Sequence, residues 1–195
     1  MKLRRFLPAA VGVVLLGLLA WGVTTLLERL TARSEDVAAV AGKPAPNETP
    51  HIAATLFYAT PEGDALMPIR REVPLAEGVV AQGRQILIAQ LEPPPSPYIS
   101  AIPAGTTLRA LYVTDKGDAF VDLSGISAAH PGGSLTELLT VQAIVNAVTA
   151  NLPAVQRVQI LVDGKEVDTI AGHVDIRRPL TRDTSLVREG EAAAQ

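Results

Sequence analysis

The chain of 195 residues contains no cysteine. This absence excludes disulfide bonds, thiol catalysis, thiolate metal sites and a lipid attached through a cysteine side chain. A domain without disulfides depends on apolar packing for its stability. Hydrophobic residues, which make up 48% of the chain, must therefore hold the fold together.

Aromatic residues and excess basic charge are also scarce. Phe, Trp and Tyr together account for 4% of the residues, and the formal net charge is −3 at pH 7. Proteins that bind nucleic acid usually combine a basic surface with aromatic side chains for base stacking. The composition therefore argues against nucleic acid as a partner.

A long apolar run is present near the N-terminus. Basic residues within positions 1–5 precede an uncharged segment from Phe6 to Leu27. As a helix rising about 1.5 Å per residue, this segment would cross a hydrocarbon core about 30 Å thick. We predict a transmembrane anchor at 6–27 that attaches the chain to the cytoplasmic membrane. The basic N-terminus would stay in the cytoplasm and the C-terminal part would be extracytoplasmic.

Two other interpretations of this segment stay open. A secretory signal peptide would have a shorter apolar region, and no convincing cleavage pair of small residues follows Trp21. A buried core helix is the second alternative, which the uncharged length disfavours in so small a domain. A mature N-terminus near residue 30 would contradict the anchor.

The rest of the chain divides into a linker, one domain and a tail. Residues 31–51 are rich in Ala, Pro, Gly and charges and have no sustained apolar period, which predicts a flexible linker. Residues 52–180 are long enough for a single domain with its own core. Residues 181–195 are polar and rich in Ala, which predicts a flexible tail.

The first half of the domain predicts a hairpin and a helix. The β-prone runs Ile52–Tyr58 and Leu66–Val73 flank a turn with Pro and Gly. An amphipathic helix is predicted over Leu75–Leu91, with Gly83 on a close-packed side and a proline run after it. Its apolar face is expected to hold Val79, Val80, Ile86, Leu87, Ile88 and Leu91, and its polar face Gln82, Arg84, Gln85 and Gln90.

The second half predicts a hairpin, a helix and a final hairpin. Thr107–Thr114 and Ala119–Leu123 flank Asp and Gly residues suited to a tight turn. Apolar residues then recur at helical spacing from Ser134 to Pro153, in a stripe formed by Leu138, Val141, Val145, Val148 and Leu152. Two last strands are predicted at 158–162 and 167–170, on either side of Asp163-Gly164.

Four polar residues are predicted to have structural roles at the start of this helix. Ser134 and Glu137 have the spacing of a capping box, in which each side chain accepts a hydrogen bond from the backbone N–H of the other residue. Asp122 and Ser124 alternate with apolar residues on the preceding strand. We expect both to hydrogen-bond the loop that leads to Ser134.

Several of these features occur together in one known family. They are Leu56 to Gly63, Val121 to Ser124, Gly133 to Glu137, Ala143 to Val148 and Val158 to Lys165. In this order they resemble the GerMN domain, the sporulation and spore-germination family, over roughly Ile52 to Ile170. The resemblance implies an α/β (α+β) fold in which two helices pack on a mixed sheet, similar in shape to the ring-building domains of envelope-spanning secretion machines.

The resemblance also implies a location and a role. Family members are extracytoplasmic and membrane-tethered, and the best-described ones act in sporulation, in an assembly between mother cell and forespore. This chain has one copy of the domain where such members can have two. It also has a predicted transmembrane segment in place of a lipidated cysteine.

Candidate catalytic and metal-binding residues form no recognisable constellation. Asp115, Asp118 and Asp122 lack the ligand spacing of a calcium loop, and the first two suit a turn. His51, His130 and His173 are scattered, and the Gly-x-Ser-x-Gly pattern of a nucleophile elbow is absent. The loop at 130–133 could receive an anion but lacks the lysine of a phosphate-binding loop. We therefore predict no catalytic, cofactor-binding or metal-binding residues.

Two basic pairs are candidates for docking a partner. They are Arg70 with Arg71 and Arg177 with Arg178. Such pairs could bind acidic proteins, polymer phosphates or lipid headgroups, although solvated strand ends explain them equally well.

The function expected from these observations is protein–protein interaction or assembly in the bacterial cell envelope, without catalysis. The partners would be envelope proteins or further copies of this chain. A module that binds envelope polymer or a small ligand is an alternative, and a cell-wall-modifying enzyme is another. A binding module would usually have more aromatic residues around its site, and a cell-wall-modifying enzyme would need paired carboxylates or a metal.

Overall fold

The computed structural model describes residues 50–127 and 132–188. Several predictions lie outside the described residues: the anchor at 6–27, the linker up to residue 49, His130 and the tail beyond residue 188. Within the described ranges, no helix is both long and apolar enough to cross a membrane.

The fold begins with the predicted hairpin. Strand β1 (His51–Ala59) pairs antiparallel with β2 (Leu66–Pro74), and Phe57 lies opposite Pro68. His51, which the prediction assigned to the linker, is the first residue of β1. The hairpin forms a two-stranded sheet of its own.

Helix α1 (Val79–Leu91) follows, and it begins four residues later than predicted. The backbone turns at Gly78, whose φ of 83° is unfavourable for other residues. Gly83 does lie on a close-packed side, because a Cβ there would come within 2.6 Å of a methyl group of Leu111.

The predicted division of α1 into faces is wrong at several positions. Gln82 and Gln90 are buried, whereas Val79, Val80 and Ile88 are exposed. The two glutamines are buried because their amides hydrogen-bond the backbone of other segments, as described below. The apolar period alone could not reveal those partners.

The larger sheet has five strands and is mixed, as the family resemblance implied. The strands are β3 (Thr107–Val113), β4 (Asp118–Ser124), β5 (Arg157–Val162), β6 (Lys165–Glu166) and β7 (Leu180–Thr181). Their order in the sheet is β3-β4-β5-β6, and β7 also pairs with β5. β4 and β5 are parallel, because helix α2 (Ser134–Asn151) forms the crossover between them.

Helix α2 is the centre of the core. Every residue from Leu139 to Val148 is buried, since α2 packs against β1, β5 and α1. A helix that is buried on all sides needs small or apolar residues around its whole circumference. The predicted stripe therefore describes only part of its buried surface.

The last part of the domain differs from its prediction. The turn Asp163-Gly164 has φ values of 51° and 78°, as a primed hairpin turn requires. However, the returning strand β6 is only Lys165–Glu166, and the predicted strand at 167–170 is absent among the described elements. The backbone N–H of Ile170 bonds a side chain of α2 instead of a neighbouring strand.

The folded domain also extends beyond the predicted boundary at residue 180. The backbone N–H of Leu66 donates to Leu186 at 2.8 Å, and the N–H of Arg188 donates back to Leu66 at 2.9 Å. The side chain of Asn146 bonds the backbone of Asp183 in both directions. The prediction of a flexible tail is thus wrong for residues 181–188.

Candidate functional site

Glu137 has the most buried carboxylate of the predicted site residues, with no exposed surface. Its Oε1 accepts hydrogen bonds from the backbone N–H groups of Ile170 and Ala171, each at 2.8 Å. Its Oε2 accepts from the N–H of His173 at 2.8 Å and lies 3.2 Å from Nδ1 of the same residue. Glu137 therefore holds the segment 170–173 against the start of α2.

This arrangement shows that the predicted capping box is wrong. Gly133 is the N-cap residue of α2, no side chain of the described residues caps the helix, and Ser134 is exposed. The carboxylate of Glu137 points instead to three N–H donors that have no strand partner. Several converging donors in a dry site satisfy a charge better than the one N–H of Ser134 could.

The surroundings of Glu137 determine its charge. Burial alone would raise the pKa of the carboxyl, because a charge is poorly solvated inside a protein. Hydrogen bonds from the backbone of Ala171, His173, Ile170 and Val174 outweigh this effect and hold the pKa below its ordinary value. Glu137 is therefore an anion at neutral pH, and its negative charge is shared among backbone donors.

A second polar cluster lies where the parallel strands β4 and β5 end. Oδ1 of Asp122 accepts from the backbone N–H of Gly164 at 2.8 Å, and its Oδ2 lies 3.1 Å from Nε of Arg109. The Ser124 hydroxyl donates to the carboxylate of Asp163. The prediction that Asp122 and Ser124 bond the loop leading to Ser134 is therefore wrong, because they fix the β5–β6 turn instead.

Arg109 reaches this cluster because of a β-bulge. The register of β3 on β4 shifts between Leu108 and Ala110, so Arg109 has no cross-strand partner. A bulge redirects the side chain of the extra residue. The guanidinium of Arg109 lies between two carboxylates, with Asp163 at 3.9 Å, and partly neutralises both.

The acidic residues considered as metal ligands are separated or paired. Asp118 forms an ion pair with Arg157, with 2.7 Å between Oδ1 and Nε, and Asp115 is exposed in the β3–β4 turn. In the part of the chain that the structure describes, no group of three or more His, Asp or Glu side chains could hold a metal ion.

Two helix amides that sequence reasoning missed, the buried Gln90 and the half-buried Asn151, bond the outer edge of β1. The side chain of Gln90 accepts from the N–H of Phe57 at 2.8 Å and donates to its C=O at 2.7 Å. Asn151 bonds the N–H and the C=O of Thr55 in the same way, both at 2.8 Å. The available signal was weak: Gln90 lies four residues after the apolar Ile86, on the same side of α1.

Other parts of the small sheet's edges are bonded or protected by charge. Ala59 exchanges two backbone hydrogen bonds with Ile99, at 2.9 and 3.1 Å. On the outer edge of β2, Leu66 bonds the segment 186–188, and Pro68 has no N–H to donate. Further along that edge, Arg70 and Glu72 are exposed charges, which discourage strand addition.

The β3 edge of the large sheet is different. One edge of β3 pairs with β4, and among residues 50–127 and 132–188 no strand pairs with the other edge. Tyr112 in this strand is 61% exposed, more than any other large hydrophobic residue of the described chain. An unpaired strand edge with an exposed aromatic side chain is a suitable surface for another polypeptide.

The predicted basic pairs do not act as two equivalent clusters. Arg71 donates to the Tyr58 hydroxyl at 2.9 Å and to Glu92 at 3.0 Å, whereas the adjacent Arg70 points to the opposite face of β2. Arg177 binds Asp175 through two nitrogens and thereby holds the pKa of that carboxyl well below its usual range. Arg178 is exposed. A role of these residues in binding stays a prediction.

Comparison with known proteins identifies the relatives of this fold. The protein family described as Sporulation and spore germination (Germane) matches residues 55–168, which is more than half of the chain. No curated protein matches the sequence.

Two solved structures of the sporulation protein GerM from Bacillus subtilis have a similar fold. The first GerMN domain has 18% sequence identity and a TM-score of 0.51, with 67% of this chain and 98% of that chain covered. The tandem GerMN domains have 16% identity and a TM-score of 0.53, with 68% of this chain and 46% of that chain covered. This chain thus spans about half of the tandem structure. The family match, together with the hairpin, the two helices and the mixed sheet, shows that the chain belongs to the Germane (GerMN) family.

Proposed function

We propose that this protein is a membrane-anchored, extracytoplasmic assembly domain that binds other proteins in the bacterial cell envelope and catalyses no reaction. The observation that carries the proposal is the contrast between the edges of its sheets. Edge backbone groups of β1 and β2, at Thr55, Phe57, Ala59 and Leu66, are bonded within the domain, whereas the β3 edge has no strand partner among the described residues and Tyr112 is exposed.

The polar side chains of the domain support a structural rather than a catalytic role. Glu137, Asp122 and Gln90 each hydrogen-bond backbone groups of a distant segment. A general acid, a base or a nucleophile has to reach substrate, and these groups are already engaged in holding loops and strands. An assembly role is also what the family resemblance implies, and the chain belongs to the Sporulation and spore germination family.

The predicted anchor at 6–27 adds a physical advantage to such a domain. Confinement to a membrane raises the local concentration of both partners, so a modest interface is sufficient. The partner would add a strand to the β3 edge through main-chain hydrogen bonds, and Tyr112 would supply a large rigid contact beside it.

The test is photo-crosslinking in intact cells. The full chain carries benzoylphenylalanine in place of Tyr112, and a matched control carries it in place of Leu135, which is also apolar and exposed but lies at the start of α2. We expect a discrete crosslinked protein from position 112 that is absent from position 135. Mass spectrometry then shows whether it is another envelope protein or a second copy of the chain. Equal crosslinking at the two positions, or none at position 112, would contradict the proposal.

A further inference from the structure

Three exposed aliphatic side chains lie within six residues between β2 and the first turn of α1. Leu75 is 50% exposed, Val79 36% and Val80 40%. Exposed apolar side chains are common singly, but a group within one short segment marks a surface that contacts something less polar than water. We name this group the 75–80 patch.

The 75–80 patch is held in place by Gln82. The side chain of Gln82 accepts from the backbone N–H of Ala76 at 2.8 Å and donates to the C=O of Pro74 at 3.2 Å. The backbone N–H of Gln82 also bonds the C=O of Gly78 at 3.0 Å. These contacts fold the loop back onto the start of α1 and so fix the backbone of the segment that carries Leu75 and the two valines.

The patch lies where the polypeptide enters the folded domain. The backbone N–H of Leu75 donates to the C=O of Pro50 at 2.6 Å, and Pro50 is the first residue that the structure describes. The sequence before Pro50 contains the apolar segment 6–27 that is predicted to span the cytoplasmic membrane. The tether therefore leaves the domain beside the patch, and the predicted flexible linker lets this surface reach the bilayer.

The charges at the patch exclude one kind of membrane contact. Glu77 is the only charged residue from position 75 to position 80, and it is acidic. The segment 75–80 itself therefore has no basic side chain to attract anionic headgroups, and the nearest basic residue along α1 is Arg84. Any binding to lipid has to come from the burial of its aliphatic side chains in the interfacial layer.

We propose that the 75–80 patch inserts into the headgroup and acyl boundary of the outer face of the cytoplasmic membrane and lays the domain on the bilayer. This inference rests on the membrane anchor of the proposed function. Because the anchor keeps the domain next to the lipid, the small apolar area of the patch is sufficient for contact. Tyr112 on β3 is expected to stay in water and remain open to a protein partner.

The test uses the absence of cysteine from the chain. The full chain is reconstituted in phosphatidylcholine vesicles as Leu75→Cys or Val80→Cys, each labelled with an environment-sensitive fluorophore. Tyr112→Cys and Leu135→Cys are matched controls, because both positions are exposed and apolar but lie on other elements. We expect a blue shift and strong quenching by nitroxide-bearing lipids at positions 75 and 80, and neither effect at positions 112 and 135.

Further conditions separate this inference from the proposed function. Quenching at positions 75 and 80 should persist in high salt and should not require anionic lipid. Equal quenching at all four positions would overturn the inference. Quenching at positions 75 and 80 that appears only when membrane proteins are added to the vesicles would also overturn it. Resistance of the chain to alkaline extraction is measured in the same vesicles. An anchored chain without quenching contradicts only the patch, whereas an extracted chain contradicts the anchor and with it both proposals.

Discussion

The outer edges of β1 and β3 differ in their hydrogen bonding. The outer edge of β1 is bonded by the amides of Gln90 and Asn151, whereas the outer edge of β3 has no paired strand in the described chain. The difference follows from where each edge lies. Thr55 and Phe57 lie against the helices, where an unpaired N–H or C=O would cost about 1–3 kcal/mol. The exposed β3 edge can bond water at little cost, so it can exchange water for a partner.

Glu137 plays a similar part for the segment 170–173 as Gln90 does for β1. Each is a helix side chain that bonds backbone groups which no strand satisfies. Side chains thus satisfy interior backbone groups in both places, whereas one edge of β3 has no strand partner in the described chain. This contrast explains why the buried polar residues are best understood as structural.

The largest expected effect is at Glu137. Glu137→Gln keeps the shape of the side chain but removes the charge and turns an amide NH₂ toward backbone donors. We expect the free energy of unfolding at pH 7 to fall by about 3 kcal/mol, as measured by urea denaturation. Glu166→Gln, at an exposed position of β6, should change it by less than about 0.5 kcal/mol. Similar losses in the two variants would contradict the role of Glu137.

The second prediction concerns the pH dependence of the same residue. The pKa of Glu137 is lower in the folded state than its ordinary value, so its ionisation stabilises the fold above that ordinary pKa. This stabilisation is lost as the pH falls through the folded-state pKa. The difference in unfolding free energy between the parent and Glu137→Gln should therefore shrink on acidification. A difference that stays constant from neutral to acidic pH would show that charge is not the cause.

A smaller loss is expected when the β1 edge is opened. Gln90→Leu fills a similar space but leaves the N–H and C=O of Phe57 without partners. The expected decrease in the free energy of unfolding is about 2 kcal/mol, again by urea denaturation. Gln85→Leu, on the same helix but outside this contact, is the matched control. If both variants unfold at the same urea concentration, the hydrogen bonds from Gln90 to Phe57 do not stabilise the edge of β1.

The smallest effect on stability is expected at the open edge. Tyr112→Ser removes a mostly exposed ring and should change the free energy of unfolding by less than about 0.5 kcal/mol. The same variant should lose recovery of the protein partner in affinity purification from detergent-solubilised membranes. If Tyr112→Ser lost stability but still recovered the partner, Tyr112 would be a structural residue and the β3 edge would not be the binding surface.

Most of the element order could be predicted from the chain. The first hairpin, both helices and the β3–β4 hairpin follow from local period and turn residues, and these signals are short-range. The family resemblance that they support is confirmed by the match over residues 55–168. Boundaries were less accurate, as the later start of α1 at Val79 shows.

The roles of the polar residues were predicted less well. Ser134 and Glu137 have the spacing of a capping box, yet Glu137 bonds residues about 33 positions away in sequence. Asp122 likewise bonds Gly164 rather than the nearer loop. A local pattern shows which partner is close along the chain, but it cannot show which donors the folded chain brings nearby.

The sequence by itself determined the absence of disulfides, most of the order of strands and helices, and the family, because composition, period and turn residues are local properties. Only the tertiary structure decided that α2 is buried on all sides, that Glu137 and Gln90 bond distant backbone groups, and that one edge of β3 has no strand partner in the described chain. Those outcomes depend on which segments meet when the chain packs. The hydrogen-bonding needs of a buried backbone are met by whichever groups the packing places within reach.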